Sequence, residues 1–282
     1  MELDAATALR PTEADALTAW AALVDADAEQ VPRVREPEPP ADHYAGTAAR
    51  FRPGHLEALE LPVLESFAEP DDTWLDIGAG GGRFAVPLAA RVARVVAVEP
   101  SESMQLTLAA AAADAGRENI ELHDVRWPDA GWTQDADVSL AAHALYDIRE
   151  VGAFLDAMER HTRRLCIAVF GQQARGATLR PLFEAVHGEP LHTLPALREF
   201  VALLGARGRR AEVRTVGGGE TTVLAPHEDA YAEARRLLWL APDSEKDRRM
   251  RALMDEWWGT PAGIRMPAAR PFIGIVSWTP PR

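Results

Sequence analysis

A glycine-rich turn at residues 78–82 constrains the fold of this 282-residue chain more than any other feature of its sequence. The turn follows an apolar run at residues 73–77, and a helical pattern comes after it. Glycine lets the backbone turn tightly, lets a ligand approach the chain closely and lets a helix pack directly on a strand. The order of strand, glycine turn and helix therefore predicts the first unit of a ligand-binding α/β sheet.

The rest of the chain alternates short β-rich runs with helical patterns, which predicts a sheet of parallel strands joined by helices. After residue 170 the pattern changes to a helix at 195–204, a strand, a glycine turn at 217–219, a helical insertion and a last strand. We therefore expect a doubly wound α/β fold with a seven-stranded, mostly parallel sheet. The predicted strands are residues 73–77, 94–98, 119–123, 136–141, 164–170, 211–216 and 272–278.

Helix caps and prolines divide the chain into segments. Thr12 can cap an N-terminal helix, and Ser101 can cap a helix that Gly116 ends. The proline-rich residues 31–40 are predicted not to hold a helix, because each proline removes a backbone donor and restricts the residue before it. The predicted segments are a helical N-terminal extension or cap at 1–55 and an α/β domain at 56–282, with a helical insertion at 220–262.

Two acidic residues stand at the ends of the first two predicted strands. Asp76 lies two residues before Gly78, where its carboxylate would repel the pyrophosphate of a dinucleotide but attract the ammonium group of a ligand. Glu99 ends the second strand, twenty-one residues after Gly78, at a position from which a carboxylate can accept both ribose hydroxyls. This pair of acids favours S-adenosylmethionine (SAM) over a nicotinamide dinucleotide.

With these residues in place, the chain resembles the class I SAM-dependent methyltransferases. Their pattern is an acidic residue, Gly-x-Gly-x-Gly, and a second acid at the end of the next strand, and this chain matches it over roughly residues 70–150. The remainder matches only by the order of its strands. The resemblance implies a Rossmann-like methyltransferase fold that binds SAM as its cofactor.

The resemblance also implies which residues hold the cofactor. The glycine turn would hold the methionine part of SAM, with Asp76 toward its amino group and Glu99 on the ribose hydroxyls. Met104 would lie against the adenine, although methionine also suits a protein core. Asp124 would accept from the adenine amino group, or else serve only as a turn former. The implied cofactor-binding set is Asp76, Gly78, Ala79, Gly80, Glu99, Pro100, Met104, Asp124, Val125 and His143.

The fourth predicted strand delivers the two candidate catalytic residues, His143 and Tyr146, to the carboxyl edge of the sheet, where open α/β sheets bind ligands. Histidine exchanges protons near neutral pH, so His143 is a candidate general base, with lining of the SAM pocket as the alternative. Tyr146 either orients the substrate or packs. The Asn/Asp-Pro-Pro-aromatic motif of adenine-amino and glutamine-amide methyltransferases does not occur here, which weakens those substrate classes. Arg83, at the helix start, is expected to be solvated.

Charge and cysteine content narrow the functional classes further. A net charge of −13 would repel nucleic acid over most of the surface, so no nucleic-acid partner is expected. The small basic cluster at residues 207–210 is interpreted as a solvated helix end. The single cysteine, Cys166, lies in an apolar run, so we expect a buried thiol, no disulfide and no metal site. The acidic N-terminus and the lack of a membrane-length apolar run predict a cytoplasmic protein with no membrane partner.

The sequence therefore predicts a SAM-dependent methyltransferase that acts on a small molecule, with an oxygen or nitrogen acceptor left open. The alternatives are a SAM-binding protein without methyl transfer and a nicotinamide-dependent oxidoreductase. The oligomeric state is left open, a homodimer included. We expect aromatic-bearing segments outside the nucleotide core to cover the substrate, with a dimer interface or ordinary packing as the alternative. These segments carry Tyr44, Phe51, Arg52, Trp239, Trp257 and Trp258.

Overall fold

A computed structural model of the chain describes residues 11–39, 41–55, 57–174, 176–217, 222–267 and 272–282. The strands are β1 Thr73–Ile77, β2 Arg94–Val98, β3 Ile120–His123, β4 Ala136–Ala142, β5 Thr162–Gly171, β6 Glu212–Val216, β7 Thr222–Leu224, β8 Gly259–Thr260, β9 Gly263–Met266 and β10 Ile273–Trp278. The α-helices are α1 Glu13–Val34, α2 Leu61–Glu65, α3 Ala85–Leu88, α4 Glu102–Asp114, α5 Val151–Arg160, α6 Arg180–His187, α7 Leu197–Ala206, α8 His227–Leu237 and α9 Glu245–Trp258. Short 3-10 helices occupy Ala48–Phe51 and Ala177–Leu179.

The main sheet has seven strands in the order β3-β2-β1-β4-β5-β10-β6. The first five strands of the chain pair in parallel, whereas β10 runs antiparallel to both β5 and β6. This arrangement confirms the predicted seven-stranded, mostly parallel fold. The strand order reverses between β1 and β4, and the crevice outside the carboxyl ends at such a reversal is where open α/β sheets bind ligands.

Both faces of the sheet are covered, because its strands are apolar on both sides. One face carries Leu75 and Ile77 toward α1, α5 and α7, and the other carries Trp74 toward α2, α3 and α4. The N-terminal helix belongs to this core. Trp20 of α1 is 1% exposed, stands edge-on to Phe170 of β5, and donates its indole N–H to a backbone carbonyl.

The predicted break at the prolines is wrong for residues 31–34, because α1 runs through Pro32 to Val34. Proline costs the helix one backbone hydrogen bond, but it lies in the last turn, where little helix follows. The end of α1 is held by tertiary contacts: Val34 is buried, and Gln30 donates to the carbonyl of Pro190 at 2.7 Å and accepts from the amide of His192 at 2.8 Å. Packing therefore outweighs local propensity here.

The C-terminal helices form a second cluster with its own core, built from α6, α8, α9 and a small antiparallel sheet β7-β9-β8. The sequence predicts the helices but not the small sheet, whose strands are two to four residues long. Ser244 caps α9 by accepting from the amide of Asp247 at 3.0 Å. Within the predicted turn at 217–219, residues 218 and 219 lie outside the described residues.

The segment that joins α1 to the sheet, residues 42–55, lies over the glycine turn and the start of α4. Asp42 accepts from the Ser103 amide and from the Ser101 hydroxyl, both at 3.0 Å, so it caps α4 from a distant part of the chain. A Cβ atom placed on Gly81 would lie 3.0 Å from the backbone of Phe51. The glycine at position 81 therefore gives this segment room to dock.

The expectation that residues 207–210 form a solvated basic cluster is wrong for Arg207. Its side chain is 4% exposed and pairs with Glu13 at 2.9 Å and with Asp156. Arg209 pairs with the buried carboxylate of Glu159 at 2.7 Å. These arginines fasten α7 to α1 and α5 and are not available as a basic surface.

Cys166 is buried as predicted, and burial raises the pKa of its thiol to about 12. Among the described residues, no helix combines the length and the apolar character that crossing a bilayer requires.

The docking of residues 42–55 is testable at Gly81. We expect Gly81→Ala to lower the free energy of unfolding by about 1–3 kcal/mol, because the new methyl group would overpack against Phe51 and Thr107. It should also speed proteolytic cleavage within residues 42–55. Gly46→Ala is the matched control, since a Cβ there meets nothing within 4 Å. Equal stability and equal cleavage in the two variants would contradict the docking.

Candidate functional site

The glycine turn is held against the end of β2 by its own backbone. The amides of Gly78 and Ala79 donate to the carbonyl of Val98 at 2.8 and 3.1 Å, and the amide of Gly80 donates to the Glu99 carboxylate at 2.8 Å. These three amides are therefore used within the fold. What Gly78 and Gly80 offer to a ligand is the backbone carbonyl groups and the close approach that a missing side chain allows.

Glycine is required at the first position of this turn. Gly78 has φ of 76°, in the left-handed region, and a Cβ atom there would lie 2.7 Å from the Cβ of Ala144. The loop after β4 is thus packed directly on the turn after β1. This contact brings the residues that follow β4, including His143, to the same crevice.

Asp76 is a buried carboxylate at the end of β1. It is 2% exposed, and its Oδ2 atom has no hydrogen-bond partner within the part of the chain that the structure describes. Burial, and then the charge of Glu99, raise the pKa of Asp76 to about 7. A buried carboxylate oxygen without a donor is unfavourable, so the site fits a ligand that brings an ammonium group.

Glu99 faces the same crevice from the end of β2 and is 6% exposed. One carboxylate oxygen accepts from Gly80 and the other from the amide of Ser101 at 2.9 Å. Burial raises the pKa of Glu99 above its ordinary value, although both amide hydrogen bonds act to lower it. Each carboxylate oxygen can accept a second hydrogen bond, so Glu99 retains the capacity to bind a pair of ribose hydroxyls.

The other predicted cofactor residues lie beside these two acids. Ala79 is 7% and Met104 2% exposed, and the sulfur of Met104 would lie 3.9 Å from a Cβ on Gly80. Pro100 is exposed after β2. Asp124 is exposed after β3 and accepts from Gln105, whose side chain also donates to the carbonyl of Glu99. Val125 is half-buried against the core face of α1 and α5.

His143 adopts a left-handed backbone conformation with φ of 58°, which is uncommon outside glycine and stores strain. Its Nδ1 lies 3.0 Å from the hydroxyl of Tyr146, and its Nε2 lies 2.8 Å from Oε1 of Glu60. The Tyr146 oxygen accepts from the amide of Gly171 at 2.7 Å. The two predicted catalytic residues are therefore in direct contact.

Glu60 is the site residue that the sequence analysis missed. Its side chain is fully buried, and Arg83 pairs with it at 3.1 Å. Arg83 is 12% exposed, so the expectation that it is solvated is wrong: it donates to Glu60 and to the carbonyl of Glu57. The position of Glu60 between Leu59 and Leu61 is the local signal of a buried carboxylate. The local sequence does not indicate that its partners are Arg83 and His143.

Comparison with known proteins assigns a domain family to part of the chain. Residues 75–170 match the model of a family described as a methyltransferase domain. The matched range contains the glycine turn, Glu99, His143 and Tyr146. It ends within β5, so α1 and the C-terminal helical cluster lie outside it.

Several solved structures share the fold. The YcgJ protein of Bacillus subtilis is 13% identical, with a TM-score of 0.57 over 79% of this chain and 99% of that one. A candidate methyltransferase from Bacillus halodurans C-125 is 14% identical, with a TM-score of 0.58 over 80% of this chain and all of that one. A SAM-dependent methyltransferase from Thiobacillus denitrificans, solved with S-adenosyl-L-homocysteine, is 16% identical, with a TM-score of 0.52 over 85% and 97% of the two chains.

Among curated proteins, a tRNA/tmRNA (uracil-C(5))-methyltransferase of Ectopseudomonas mendocina is 43% identical over 60 residues. The match spans 21% of this chain and only 17% of that protein. The similarity is therefore local. The family match identifies residues 75–170 as a methyltransferase domain, and the seven-stranded sheet gives the chain the fold of the solved structures above.

Proposed function

We propose that the protein transfers the methyl group of SAM to a small-molecule acceptor in the crevice between β1 and β4. The observation that carries this proposal is the buried Oδ2 of Asp76, which has no hydrogen-bond partner among the described residues and lies near the charge of Glu99. SAM, when bound, supplies a methyl group activated by its sulfonium sulfur, so the protein mainly has to align the acceptor and exclude water.

We infer that the cofactor lies along the strand ends. Asp76 takes the ammonium group, the carbonyls of the glycine turn lie along the methionine part, and Glu99 accepts the ribose hydroxyls. The adenine end lies toward Met104 and Asp124, with Ala79, Pro100 and Val125 lining that end. What supports this placement is that the ends of β1, β2 and β3 are in register at Ile77, Val98 and His123, so that these side chains share one edge.

A small molecule is favoured over a nucleic acid by charge. The net charge of −13 opposes a polyanion, and affinity for nucleic acids depends on arginine and lysine that are available to phosphates. Arg207 and Arg209 are instead paired with acids in the fold. Two arginines of the C-terminal cluster, Arg235 and Arg251, likewise bind the buried carboxylate of Asp247.

The covering of the site is proposed to come from residues 42–55 and from the C-terminal helical cluster. Tyr44 and Phe51 stand edge-on at 5.6 Å within the first segment. Arg50 of that segment lies 3.6 Å from Glu233 of α8, which ties the two parts of the cover together. The tryptophans of the cluster differ in their surroundings: Trp239 packs on Phe183, Trp257 is 40% exposed, and Trp258 is half-buried.

Methyl transfer to a small molecule can be tested with methyl-labelled SAM and a fractionated cell extract. We expect label to enter the low-molecular-mass fraction and not the RNA or protein fractions, and Glu99→Ala to abolish the incorporation. Label in RNA would contradict the small-molecule acceptor. A protein that binds S-adenosylhomocysteine but labels no fraction would indicate a SAM-binding protein without transfer.

The free energy of unfolding should depend on pH through the ionisation of Asp76. Because its pKa is raised in the folded chain to about 7, the native state holds a proton that the unfolded state has already lost. The free energy of unfolding of the ligand-free protein should therefore fall as pH rises from about 4 to about 7, by at most about 1.4 kcal/mol per pH unit for this one proton. Asp76→Asn should remove that decline and also weaken SAM binding.

Chemical denaturation at several pH values measures this effect as the difference between the wild type and Asp76→Asn. Asp71→Asn is the matched control, since Asp71 is exposed just before the same strand. The assignment of Asp76 fails if the variant shows the wild-type pH dependence and the wild-type affinity for SAM.

The proposed role of Glu99 as the acceptor of the ribose hydroxyls can be tested by replacing it with glutamine, its neutral analogue. We expect Glu99→Gln to weaken the binding of S-adenosylhomocysteine by roughly 10- to 100-fold, because hydrogen bonds to a charged acceptor contribute about 1.5–3 kcal/mol. Calorimetric titration measures the loss, and a melting curve verifies the fold. Glu102→Gln, an exposed exchange on α4, should bind like the wild type. Wild-type affinity in Glu99→Gln would exclude Glu99 as the ribose acceptor.

A further inference from the structure

A continuous chain of hydrogen bonds runs from Arg83, at the end of the glycine turn, to the end of β5. It runs from Arg83 to Glu60, from Glu60 to Nε2 of His143, from Nδ1 of His143 to the hydroxyl of Tyr146, and from that oxygen to the amide of Gly171. The side chain of Glu60 is fully buried and that of His143 is 13% exposed. Tyr146 is half-buried, at the carboxyl edge of the sheet.

The positions of the protons in this chain follow from its two ends. The backbone amide of Gly171 can only donate, so the Tyr146 oxygen accepts from it. The ionised carboxylate of Glu60 can only accept, so the single proton of a neutral His143 ring lies on Nε2, and Nδ1 accepts from the Tyr146 hydroxyl. At the other end, the guanidinium of Arg83 donates to the same carboxylate.

Glu60 is held in its ionised form. Burial acts to raise the pKa of this carboxyl, but the hydrogen bond from His143 and the charge of Arg83 together hold the pKa below its ordinary value. The chain therefore has a fixed negative charge at the far side of the imidazole. That charge stabilises the imidazolium that would form if His143 took a proton from Tyr146.

We propose that Glu60 is a positioning residue that fixes His143 in the tautomer whose Nδ1 accepts the Tyr146 proton. The proton relay formed by Glu60, His143 and Tyr146 in turn implies that the methyl acceptor is a hydroxyl group. The proposal rests on the proposed function of the crevice. It adds the class of acceptor and a residue outside the matched methyltransferase domain, since Glu60 precedes residue 75.

A proton relay is needed for a hydroxyl acceptor but not for a neutral amine. A neutral amine attacks with its lone pair and can lose its proton afterwards, whereas a hydroxyl is a weak nucleophile until the proton leaves. The acceptor proton moves to the Tyr146 oxygen while the Tyr146 proton moves to Nδ1 of His143. The electron pair left on the acceptor oxygen forms the new oxygen–carbon bond as the carbon–sulfur bond breaks toward sulfur. His143 then returns the proton to solvent.

The strained backbone of His143 supports a functional role over a merely structural one. A left-handed conformation at a non-glycine residue persists only where the surroundings over-determine it, and such residues cluster at active sites. This backbone conformation places the His143 ring between Glu60 and Tyr146. The next residue, Ala144, is packed on Gly78. The orientation of the His143 ring therefore depends on the same turn that would hold the cofactor.

Nitrogen NMR of the histidine rings tests the relay in the full chain with S-adenosylhomocysteine added. We expect wild-type His143 near neutral pH to show a protonated Nε2 and an unprotonated Nδ1. Glu60→Gln should lower the pH at which the ring becomes doubly protonated by about one unit or more, since a neutral amide no longer stabilises the imidazolium. Within the described chain, the titratable or charged groups bonded to this ring or to its Glu60 partner include Glu60, Tyr146 and Arg83.

Two further variants keep the test decisive. Tyr146→Phe removes the proton donor to Nδ1 but leaves the Glu60 carboxylate beside Nε2, so the ring should stay protonated on Nε2; a mixture of ring tautomers in this variant would overturn the role of Glu60, even if Glu60→Gln unfolds the site. Glu57→Gln makes the same exchange three residues away on an exposed side chain and should leave the ring spectrum unchanged. A wild-type ring protonated on Nδ1, or a ring that titrates alike in the wild type and in Glu60→Gln, would overturn the relay.

The acceptor class is tested separately, by transfer from SAM labelled with carbon-13 in the methyl group. We expect the product methyl carbon to resonate as an oxygen-bound methyl, whereas a nitrogen-bound or carbon-bound methyl would overturn the hydroxyl acceptor. Failure of S-adenosylhomocysteine to bind would instead count against the proposed function, and the ring tautomers of His143 would still report on the relay by themselves.

Discussion

The burial of two carboxylates at adjacent strand ends is the constraint on which this site depends. Glu99 is compensated, because each of its oxygens accepts a backbone N–H, whereas Asp76 keeps one oxygen without a donor in the described chain. Burial and the charge of Glu99 oppose the ionisation of Asp76 and raise its pKa to about 7. A ligand that brings a cation and hydroxyl donors would offset the cost of burying these two acids. The site is therefore unfavourable for the stability of the ligand-free fold and favourable for binding such a ligand.

Parts of the chain outside the sheet pack on the residues around this site. Trp20 anchors α1 in the core, and the end of α1 is bonded to the loop that follows α6. From there residues 42–55 lie over the glycine turn, and Asp42 caps α4. Because these contacts reach the start of the helix that follows Glu99, a ligand at Glu99 and the docking of the N-terminal segment should stabilise each other.

Local signals predicted most of the fold, and long-range contacts account for the rest. The bounds of β1 and β2 are those predicted, and Ser101 caps α4 as predicted, because glycine turns, apolar strands and caps act within a few residues. Pro32 was misjudged because the end of its helix is stabilised by residues about 160 positions away. Arg207 and Arg83 were placed in solvent for the same reason: the acids that bury them come from other helices.

The same limit applies to the site. Asp76 and Glu99 can be proposed from the sequence because their predicted roles follow from the distance to a glycine turn, whereas Glu60 is found only when the chain is folded. Yet the two halves of the site are physically joined. Arg83 directly follows the last glycine of the turn and donates to both Glu60 and the carbonyl of Glu57. The turn that would hold the cofactor therefore also holds the segment that carries Glu60, so the charge behind His143 is in place only when the cofactor turn is correctly formed.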